Sequence, residues 1–460
     1  MDVIAAIATG GAATAIGIVR VSGDGCFSLC DRVFRAANGR PFSGQPPRTL
    51  VLGQVLDARG DVIDQGLAVR FPGPGSYTGE DCAEFHCHGS PVVLRELLST
   101  LFAAGARQAR AGEFTKRAFL NGRMDLTEAE AVIDLIDAET AAAARNAAAQ
   151  LEGGLRRRLA PIQDALLEIT SRFYAVVDYP DEDIPDVHPK EISAALASAQ
   201  EALEYLLAGC RRGRVLKSGV RTAIVGRPNA GKSSLLNALA GYERAIVTDI
   251  PGTTRDTVEE SVVCGGVLLR LIDTAGIRHT EDPVERLGVE RSRRAVASAD
   301  LVIVLLDGTG EITPEDWEIL TLAQTAPHCI VADSKSDLLP PGQARVLPLP
   351  WDAWQPDAYL SISSIAPGGL RLLEEAVADL FPAGDPGEAG SLLTDARQED
   401  AARRCLAAVC RAREALETGF TPDAVLTDAE EALDALGELT GRTAREEIVS
   451  RIFSRFCVGK

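Results

Sequence analysis

The chain has 460 residues, of which 46% are hydrophobic and 25% are charged, and these proportions are typical of folded globular proteins. This length exceeds what a single core accommodates, so we expect about two to four domains. The net charge of −19 excludes a broad basic nucleic-acid surface, so RNA would have to meet a local basic patch or be presented by another protein. No apolar run of about 18 residues and no basic segment before the apolar start occur, which predicts a cytoplasmic protein with no membrane span.

Residues 1–120 predict an α/β region, with strands at 15–21 and 66–71, turn clusters between them, and a helix over 91–105. Residues 76–89 carry more polar groups than a connector requires. Within them, Cys82, His86, Cys87 and His88 fit no zinc spacing, so we expect a strand with polar faces and no structural metal. The ten cysteines lack a C-x₂-C pair, and most are expected to be buried in a reducing compartment.

Residues 121–216 and 381–460 predict two helical segments. In the first, a capping box is expected at Thr127 and Glu130, and Pro161 and an acidic loop at 177–186 are expected to interrupt the helices. In the second, helices are predicted over 395–415 and 427–456. The last helix should be capped by Thr443 and Glu446. Its apolar stripe of Ile448, Val449, Ile452, Phe453 and Phe456 should place Cys457 just beyond a buried edge.

Residues 217–380 alternate strand and helix patterns, as a doubly wound α/β domain does. Here 222–225 predict a strand, residues 226–233 fit the phosphate loop G-x-x-x-x-G-K-[ST], and an apolar helix pattern follows. Lys232 supplies a charge for the outer phosphates, and the Ser233 hydroxyl reaches Mg²⁺. The fold class is therefore a multidomain protein: an N-terminal α/β domain (1–120), a discontinuous helical domain (121–216 and 381–460), and an inserted P-loop GTPase domain (217–380).

Two further elements follow the phosphate loop in the order that GTPases use. Residues 248–256 contain the threonines of a switch loop, and a strand over 267–272 ends at Asp273, a carboxylate for the Mg²⁺ region. The predicted GTP-binding residues are Asn229, Ala230, Gly231, Lys232, Ser233 and Ser234; Thr248, Asp249, Ile250, Pro251, Gly252, Thr253 and Thr254; Asp273, Thr274, Ala275 and Gly276; and Ser334, Lys335, Asp337, Ser363 and Ser364.

The base-recognition element departs from the usual N-K-x-D, because Ser334 replaces the Asn before Lys335 and Asp337. Asp337 can still accept both donors of a guanine edge, so GTP is preferred over ATP. Ser334 is expected to lose a brace on the loop and a base contact, and Ser363-Ser364 replaces the usual Ser-Ala. Weak affinity and rapid exchange are therefore expected.

The residue after 273–276 is Ile277, where Ras-like enzymes place a water-orienting Gln. An isoleucine can neither hold nor donate to a water, so another group must promote hydrolysis. Asn229 is placed to help hold a monovalent cation beside the phosphates.

The segments GRPNAGKSS, DIPGTTRDT and DTAGIR, the stretches 76–81 and 112–123, and the terminal Cys-Val-Gly-Lys together resemble the MnmE (TrmE) family of tRNA-modifying GTPases over the whole chain. The resemblance implies a homodimer whose N-terminal domain dimerises and binds 5-formyltetrahydrofolate, and a GTPase domain activated by K⁺-dependent pairing. By position it implies K⁺ ligands (Asn229, Thr248, Ile250 and Thr253), Mg²⁺ ligands (Ser233 and Thr254), a water-orienting Glu285, a catalytic Cys457, and a folate site (Arg20, Glu84, Arg123 and Lys460).

The expected function is hydrolysis of GTP coupled to modification of C5 of the wobble uridine of certain tRNAs. The folate would supply one carbon, and an MnmG-like flavoprotein carrying FAD would form a heterotetramer with this chain. The alternative is a ribosome-assembly or signalling switch without a modification role. Such GTPases usually append a basic RNA-binding module, whereas this chain is acidic.

Overall fold

A computed structural model describes residues 2–178, 189–242, 260–272, 293–339, 354–382, 389–419 and 422–459. The chain divides into two compact units. The first comprises Met1–Ile133, Leu151–Ala199 and Arg404–Lys460, and the second comprises Asp134–Gln150 and Gln200–Arg403. Within the described ranges, none of the helices combines the length and apolarity needed to cross a bilayer.

The first unit contains a seven-stranded sheet built from described residues. Its strands are β1 (Ile4–Ile7), β2 (Ile16–Ser22), β3 (Phe34–Ala36), β4 (Val51–Leu56), β5 (Val62–Phe71), β6 (Cys82–His88) and β7 (Arg107–Gln108). They lie in the order β3-β4-β5-β6-β2-β1-β7, and all neighbours are antiparallel except β1 and β7. The predicted strands at 15–21 and 66–71 are confirmed as β2 and part of β5.

The core of this sheet lies under helix α2 (Pro91–Ala103), which confirms the helix predicted over 91–105. Helix α1 (Cys26–Cys30) adds to the same layer. Strand β6 alternates as a half-buried strand should: Ala83, Phe85 and Cys87 enter the core, whereas Glu84 and His86 lie on the opposite, partly exposed face. The polar-faced strand expected there is confirmed, and it places Glu84 on the face that is available for binding.

Helices account for most of the rest of the described chain. In chain order they include α3 (Glu113–Leu120), α4 (Leu126–Ile136), α5 (Ala141–Leu151), α6 (Gly154–Asp178), α7 (Pro189–Ala208), α8 (Cys210–Ser218), α9 (Lys232–Tyr242), α10 (Pro314–Ala323), α11 (Arg371–Leu380), α12 (Ala396–Glu417), α13 (Pro422–Thr440) and α14 (Glu446–Phe453). The break predicted around 418–422 is confirmed by the ends of α12 and α13. The helical region predicted over 427–456 contains most of α13 and all of α14, which are divided at 441–445, where Gly441 has a φ of +90°.

Helix α6 continues through Pro161, so the interruption predicted there is wrong. The helix packs along α13 and buries Leu155, Leu159, Ile162, Leu166, Ile169 and Phe173. Each buried side chain contributes about 1.5–3 kcal/mol, which together outweighs the roughly 3 kcal/mol cost of a proline inside a helix. Residues 177–178 of the predicted acidic loop are still helical, and its residues 179–186 lie outside the described residues.

Two predicted helix caps are wrong because neighbouring residues form the helix ends instead. Helix α4 is capped by Asp125, whose Oδ1 accepts the Glu128 amide at 2.9 Å, while Glu128 Oε2 accepts the Asp125 amide at 2.8 Å. The capping box thus lies two residues before the predicted Thr127. In α14, Arg445 occupies the cap position with no side-chain hydrogen bond, and the Thr443 hydroxyl instead donates to the Asp434 carbonyl.

The second unit contains a six-stranded sheet of described residues in the order β13-β12-β11-β8-β10-β9. The strands are β8 (Val220–Val225), β9 (Glu260–Cys264), β10 (Val267–Leu271), β11 (Leu301–Asp307), β12 (His328–Ser334) and β13 (Ala358–Ser361). Only β9 is antiparallel to its neighbour. Apolar clusters cover both faces, with α9 and α11 on one and α10 on the other. The doubly wound fold is confirmed, and the loop after β8 lies where the strand order reverses, the usual ligand position.

Candidate functional site

The phosphate loop connects β8 to α9, as the sequence predicts. Gly231 has a φ of +96° and Asn229 a φ of +63°, so both adopt left-handed conformations that help turn the loop. Lys232 Nζ donates to the carbonyl oxygens of Gly226 and Arg227, each at 2.7 Å. Burial lowers the pKa of Lys232. The ammonium group is therefore held across the loop, where arriving phosphates can replace the two carbonyls.

Ser334 braces this loop from the end of β12. Its Oγ donates to the Ala230 carbonyl at 2.7 Å, and both residues are buried. The expectation that replacing Asn by Ser loses the brace is wrong, because the short side chain still reaches the loop. Gly231 lies beside it: a Cβ there would stand 3.5 Å from Ser334 Oγ.

We expect Ser334→Ala to raise the dissociation constant for GDP roughly tenfold, about 1.4 kcal/mol, because a buried carbonyl loses its donor. Fluorescent-nucleotide titration measures this, and Ser334→Asn should bind more tightly than Ser334→Ala. Ser336→Ala is the matched control, two residues away with no hydrogen bond from its side chain to the described residues. Equal affinities for Ser334→Ala and Ser336→Ala would contradict the brace.

The base-recognition residues are held by their neighbours. Ser363 Oγ donates to Asp337 Oδ1 at 2.6 Å and accepts the Ala366 amide at 3.1 Å, so it orients Asp337. Lys335 has a φ of +58°, and its Nζ contacts Asp307 Oδ2 at 2.7 Å. Burial raises the pKa of Asp307, but hydrogen bonds from Lys335 and Thr309 outweigh this and lower it to about 2. The Asp307 carboxylate therefore stays ionised and fixes Lys335.

Asp316 also supports the phosphate loop, and the sequence did not single it out. It is 2% exposed and accepts from Arg227 Nε at 2.9 Å. It also completes a capping box with Thr313 at the start of α10. The T-x-x-D spacing at 313–316 predicts the cap, but only the fold brings the carboxylate to Arg227.

Several predicted site residues lie outside the described residues. They are Thr248, Asp249, Ile250, Pro251, Gly252, Thr253, Thr254, Asp273, Thr274, Ala275, Gly276, Glu285 and Lys460. Their roles stay predictions. Among those that are described, Ser233 and Ser234 occupy the first turn of α9, and Ser364 follows Ser363 in the loop after β13.

A second cluster of predicted site residues lies in the first unit. Arg20 on β2 and Glu84 on β6 are cross-strand neighbours, and Arg20 Nε donates to Glu84 Oε1 at 2.9 Å. The Arg20 guanidinium lies 5.1 Å from the ring centroid of Tyr77 and 5.7 Å from that of Phe114. Both charged side chains remain partly exposed. A cation, a carboxylate and aromatic rings thus meet on one face of the sheet.

Arg123 and Cys457 are exposed. A Cβ at Gly79 would lie 3.2 Å from Arg123 Cγ, which places this arginine beside the 76–81 loop. The Gly112 amide contacts the Cys457 carbonyl at 3.4 Å, and Ala111 forms a β-bridge with Val458. The C-terminal stretch is therefore fixed against the start of α3. All ten cysteines are described; Cys457 is the exposed one, whereas burial raises the pKa of thiols such as Cys82 to about 12.

Arg117 holds the two family-specific stretches together, a role that no local pattern indicates. It is 4% exposed and contacts Glu80 at 2.9 Å, Asp2 at 2.8 Å and Glu113 at 3.3 Å. Glu80 in turn accepts from Ser22 Oγ at 3.1 Å. The network ties the 76–81 loop to α3, to Asp2 just before β1, and to Ser22 at the end of β2.

The residues present fit the Mg²⁺ ion and the folate that the family resemblance implies. The Ser233 hydroxyl is a hard oxygen ligand suited to Mg²⁺ bound with phosphates. Arg20 suits an anionic ligand, and Glu84 suits the donors of a heteroaromatic ring; its other oxygen, Oε2, lies 3.4 Å from His86 Nε2. No cluster of metal-ligating side chains is found among the described residues.

Comparison with known proteins is decisive at the level of sequence. Residues 3–123 match the family model described as "GTP-binding protein TrmE N-terminus", and 126–457 match "MnmE helical domain". The tRNA modification GTPase MnmE of Symbiobacterium thermophilum is 45% identical over 100% of this chain and 99% of its own length. That of Heliobacterium modesticaldum is 43% identical with the same coverage.

Likeness to solved structures is weaker. Aquifex aeolicus Era bound to GDP and AlF4⁻ is 28% identical, covers 43% of this chain and 66% of its own, and has a TM-score of 0.27, which is too low to support any conclusion. The assignment depends instead on the two family models and on the full-length relatives. Together they show that the chain belongs to the MnmE family of tRNA modification GTPases.

Proposed function

We propose that this GTP hydrolase of tRNA modification acts at C5 of the wobble uridine of certain tRNAs, adding an aminomethyl or carboxymethylaminomethyl group. It would work as a homodimer with an MnmG-like flavoprotein that carries FAD, in a heterotetramer. The observation that supports this most is the joint presence of a phosphate loop, the Arg20–Glu84 pair and the exposed Cys457 in one chain. We also propose domain limits of 1–120, 121–216, 217–380 and 381–460.

In the first unit, Arg20, Glu84, Arg123 and Lys460 would hold a 5-formyltetrahydrofolate-type folate, which supplies the one-carbon unit when bound. Arg20 would meet a negative charge while it remains paired with Glu84, because its guanidinium has five donors. Tyr77 and Phe114 offer ring faces beside it. Cys457 would take part in catalysis in this same unit, since its backbone is fixed against the start of α3.

In the second unit, the predicted GTP-binding residues would hold the nucleotide, with Ser233 and Thr254 on Mg²⁺. Lys232 would exchange its two loop carbonyls for phosphate oxygens. Asn229, Thr248, Ile250 and Thr253 would bind K⁺, and Glu285 would orient the attacking water. Ile277 supports a cation in place of a side chain, because an isoleucine can neither hold the attacking water nor donate a hydrogen bond to it, as a glutamine does.

The test of the modification role is mass analysis of tRNA nucleosides from a strain that lacks this chain. Loss of the modified wobble uridine, restored by the wild-type chain and not by Cys457→Ser, is the expected result. The proposal would be overturned if the deletion strain contained as much modified wobble uridine as the parent strain.

The test of the cation is separate. We expect GTP turnover to be faster in KCl than in NaCl at equal ionic strength, because the proposed oxygen-ligand site would hold the larger K⁺ beside the phosphates better than Na⁺, which has the same charge. Nucleotide affinity in each salt is the control. Equal turnover in the two salts, with equal binding, would contradict K⁺ activation.

A further inference from the structure

A cleft of about 850 Å³ opens in the first unit, and its lining contains none of the predicted site residues. Three stretches that are far apart in sequence line it: 116–125 in and after α3, 156–163 in α6, and 440–449 at the end of α13 and in α14. Buried apolar side chains, including Leu159 and Val449, form part of its wall.

Four cationic side chains face this cleft: Lys116, Arg156, Arg157 and Arg442. Among the described residues, carboxylate partners neutralise little of this positive charge. Arg442 is exposed and makes no ion pair with any described residue, and Arg157 donates to a backbone carbonyl, that of Glu152. Lys116 Nζ contacts the neutral Ser450 hydroxyl at 3.2 Å. Arg156 has a carboxylate partner, Glu128, at 3.4 Å.

The two acidic residues of the lining are engaged with helix ends. Asp125 caps α4 through Oδ1, and Glu446 lies in the first turn of α14, where the helix dipole stabilises negative charge. The lining therefore carries a surplus of positive charge in a chain whose net charge is −19. A chain this acidic can hold a polyanion only where such a local surplus exists.

We infer that this cleft binds the sugar-phosphate backbone of tRNA. Four cations spread over three chain segments suit successive phosphates of one strand better than a single small anion. The inference depends on tRNA as the substrate, which the family supplies, and not on the K⁺ or folate parts of the proposed function.

The cleft is connected to the terminal cysteine through two shared helices. Lys116 lies four residues after Gly112 in and beside α3, a rise of about 6 Å, and the Gly112 amide contacts the Cys457 carbonyl. On the other side, α14 carries Ser450, the partner of Lys116, and leads to Cys457. An RNA strand held in the cleft would thus pass close to the exposed Cys457 thiol.

The experiment is tRNA binding by the full-length protein over a range of salt concentrations. The double variant Arg157→Ala/Arg442→Ala should bind more weakly, and its slope of log K against log salt should fall by roughly 1.5, since each lost phosphate contact contributes about 0.7–0.9. Arg158→Ala is the matched control: it is exposed, adjacent to Arg157 in α6, and outside the lining.

The inference is overturned if the double variant binds tRNA with the wild-type slope, or if Arg158→Ala loses as much. It is also overturned if the double variant keeps tRNA binding but no longer co-purifies with the flavoprotein, since the cleft would then be a protein interface. GTP turnover without RNA should stay at the wild-type level in all variants. If the cleft proves not to bind tRNA, the result of the wobble-uridine assay on the deletion strain still stands, so the two proposals can fail separately.

Discussion

Lys232→Ala should lower kcat for GTP hydrolysis by about 10²–10³-fold, the typical loss when one donor to developing negative charge is removed. Lys232 is the cation held over the phosphate loop, 2.7 Å from the carbonyl oxygens of Gly226 and Arg227. Its replacement removes a charge that backbone amides do not supply. Single-turnover hydrolysis measured with saturating GTP separates this effect from weaker binding.

The control for Lys232 is Lys232→Arg, which keeps the positive charge but changes its geometry and should recover binding better than turnover. Thermal unfolding should be almost unchanged in both variants, since the two carbonyls belong to partly exposed residues, Gly226 and Arg227, that water can reach. Wild-type turnover in Lys232→Ala would mean that the loop does not handle phosphates as proposed.

Arg117→Met should destabilise the first unit by about 3–5 kcal/mol, the cost of breaking a buried ion pair. The substitution leaves Glu80, 13% exposed in its side chain, without its cation and removes one contact from Glu113. Arg110→Met is the matched control: it lies on the same stretch of chain, is exposed, and should change stability by less than about 0.5 kcal/mol.

The chain allows the effect of Arg117 to be localised. All three tryptophans, Trp317, Trp351 and Trp354, belong to the second unit, so their fluorescence reports that unit alone. Hydrogen exchange at amides of β1 and α3 reports the first unit. We expect faster exchange there in Arg117→Met and an unchanged tryptophan transition. A local role for Arg117 would be contradicted if the unfolding transition followed by tryptophan fluorescence lost as much stability as hydrogen exchange reports for β1 and α3.

Acid titration gives a second measure of the same network. Burial raises the pKa of Glu113, but hydrogen bonds from Arg107 and from the Arg110 amide outweigh this and lower it to about 2. Because the folded pKa lies below the ordinary value of 4.5, this stabilisation is complete above pH 4.5 and is lost as pH falls toward 2. Arg117 also donates to Glu113 and helps to lower its pKa, so in Arg117→Met this pH-dependent stabilisation should be smaller and its loss should be complete at a higher pH.

Local patterns predicted most elements because their information is contiguous. The phosphate loop needs eight successive residues, 226–233, and the buried strands β8, β10, β11 and β12 appear as apolar runs between turn residues. The exposed position of Cys457 follows from the apolar stripe of α14, whose Val449, Ile452 and Phe453 are buried, and from the buried Phe456 just beyond that helix.

Caps and interruptions were predicted less well because alternatives of similar energy compete locally. The T-x-x-E pattern occurs at 127–130, yet Asp125 begins α4 two residues earlier and uses Glu128. Pro161 remains inside α6 because the burial of the helix stripe outweighs the cost of the proline.

By itself, the sequence determined the nucleotide-binding chemistry, the sheet and helix types, and the family resemblance, since each depends on residues close together in the chain. Only the tertiary structure decided which side chains support the sites. Ser334 braces Ala230 across 104 positions, and Arg117 contacts Asp2 across 115. The basic cleft combines segments around 120, 160 and 445. Such contacts depend on chain packing in three dimensions, and no local spacing encodes a hydrogen bond between residues so far apart.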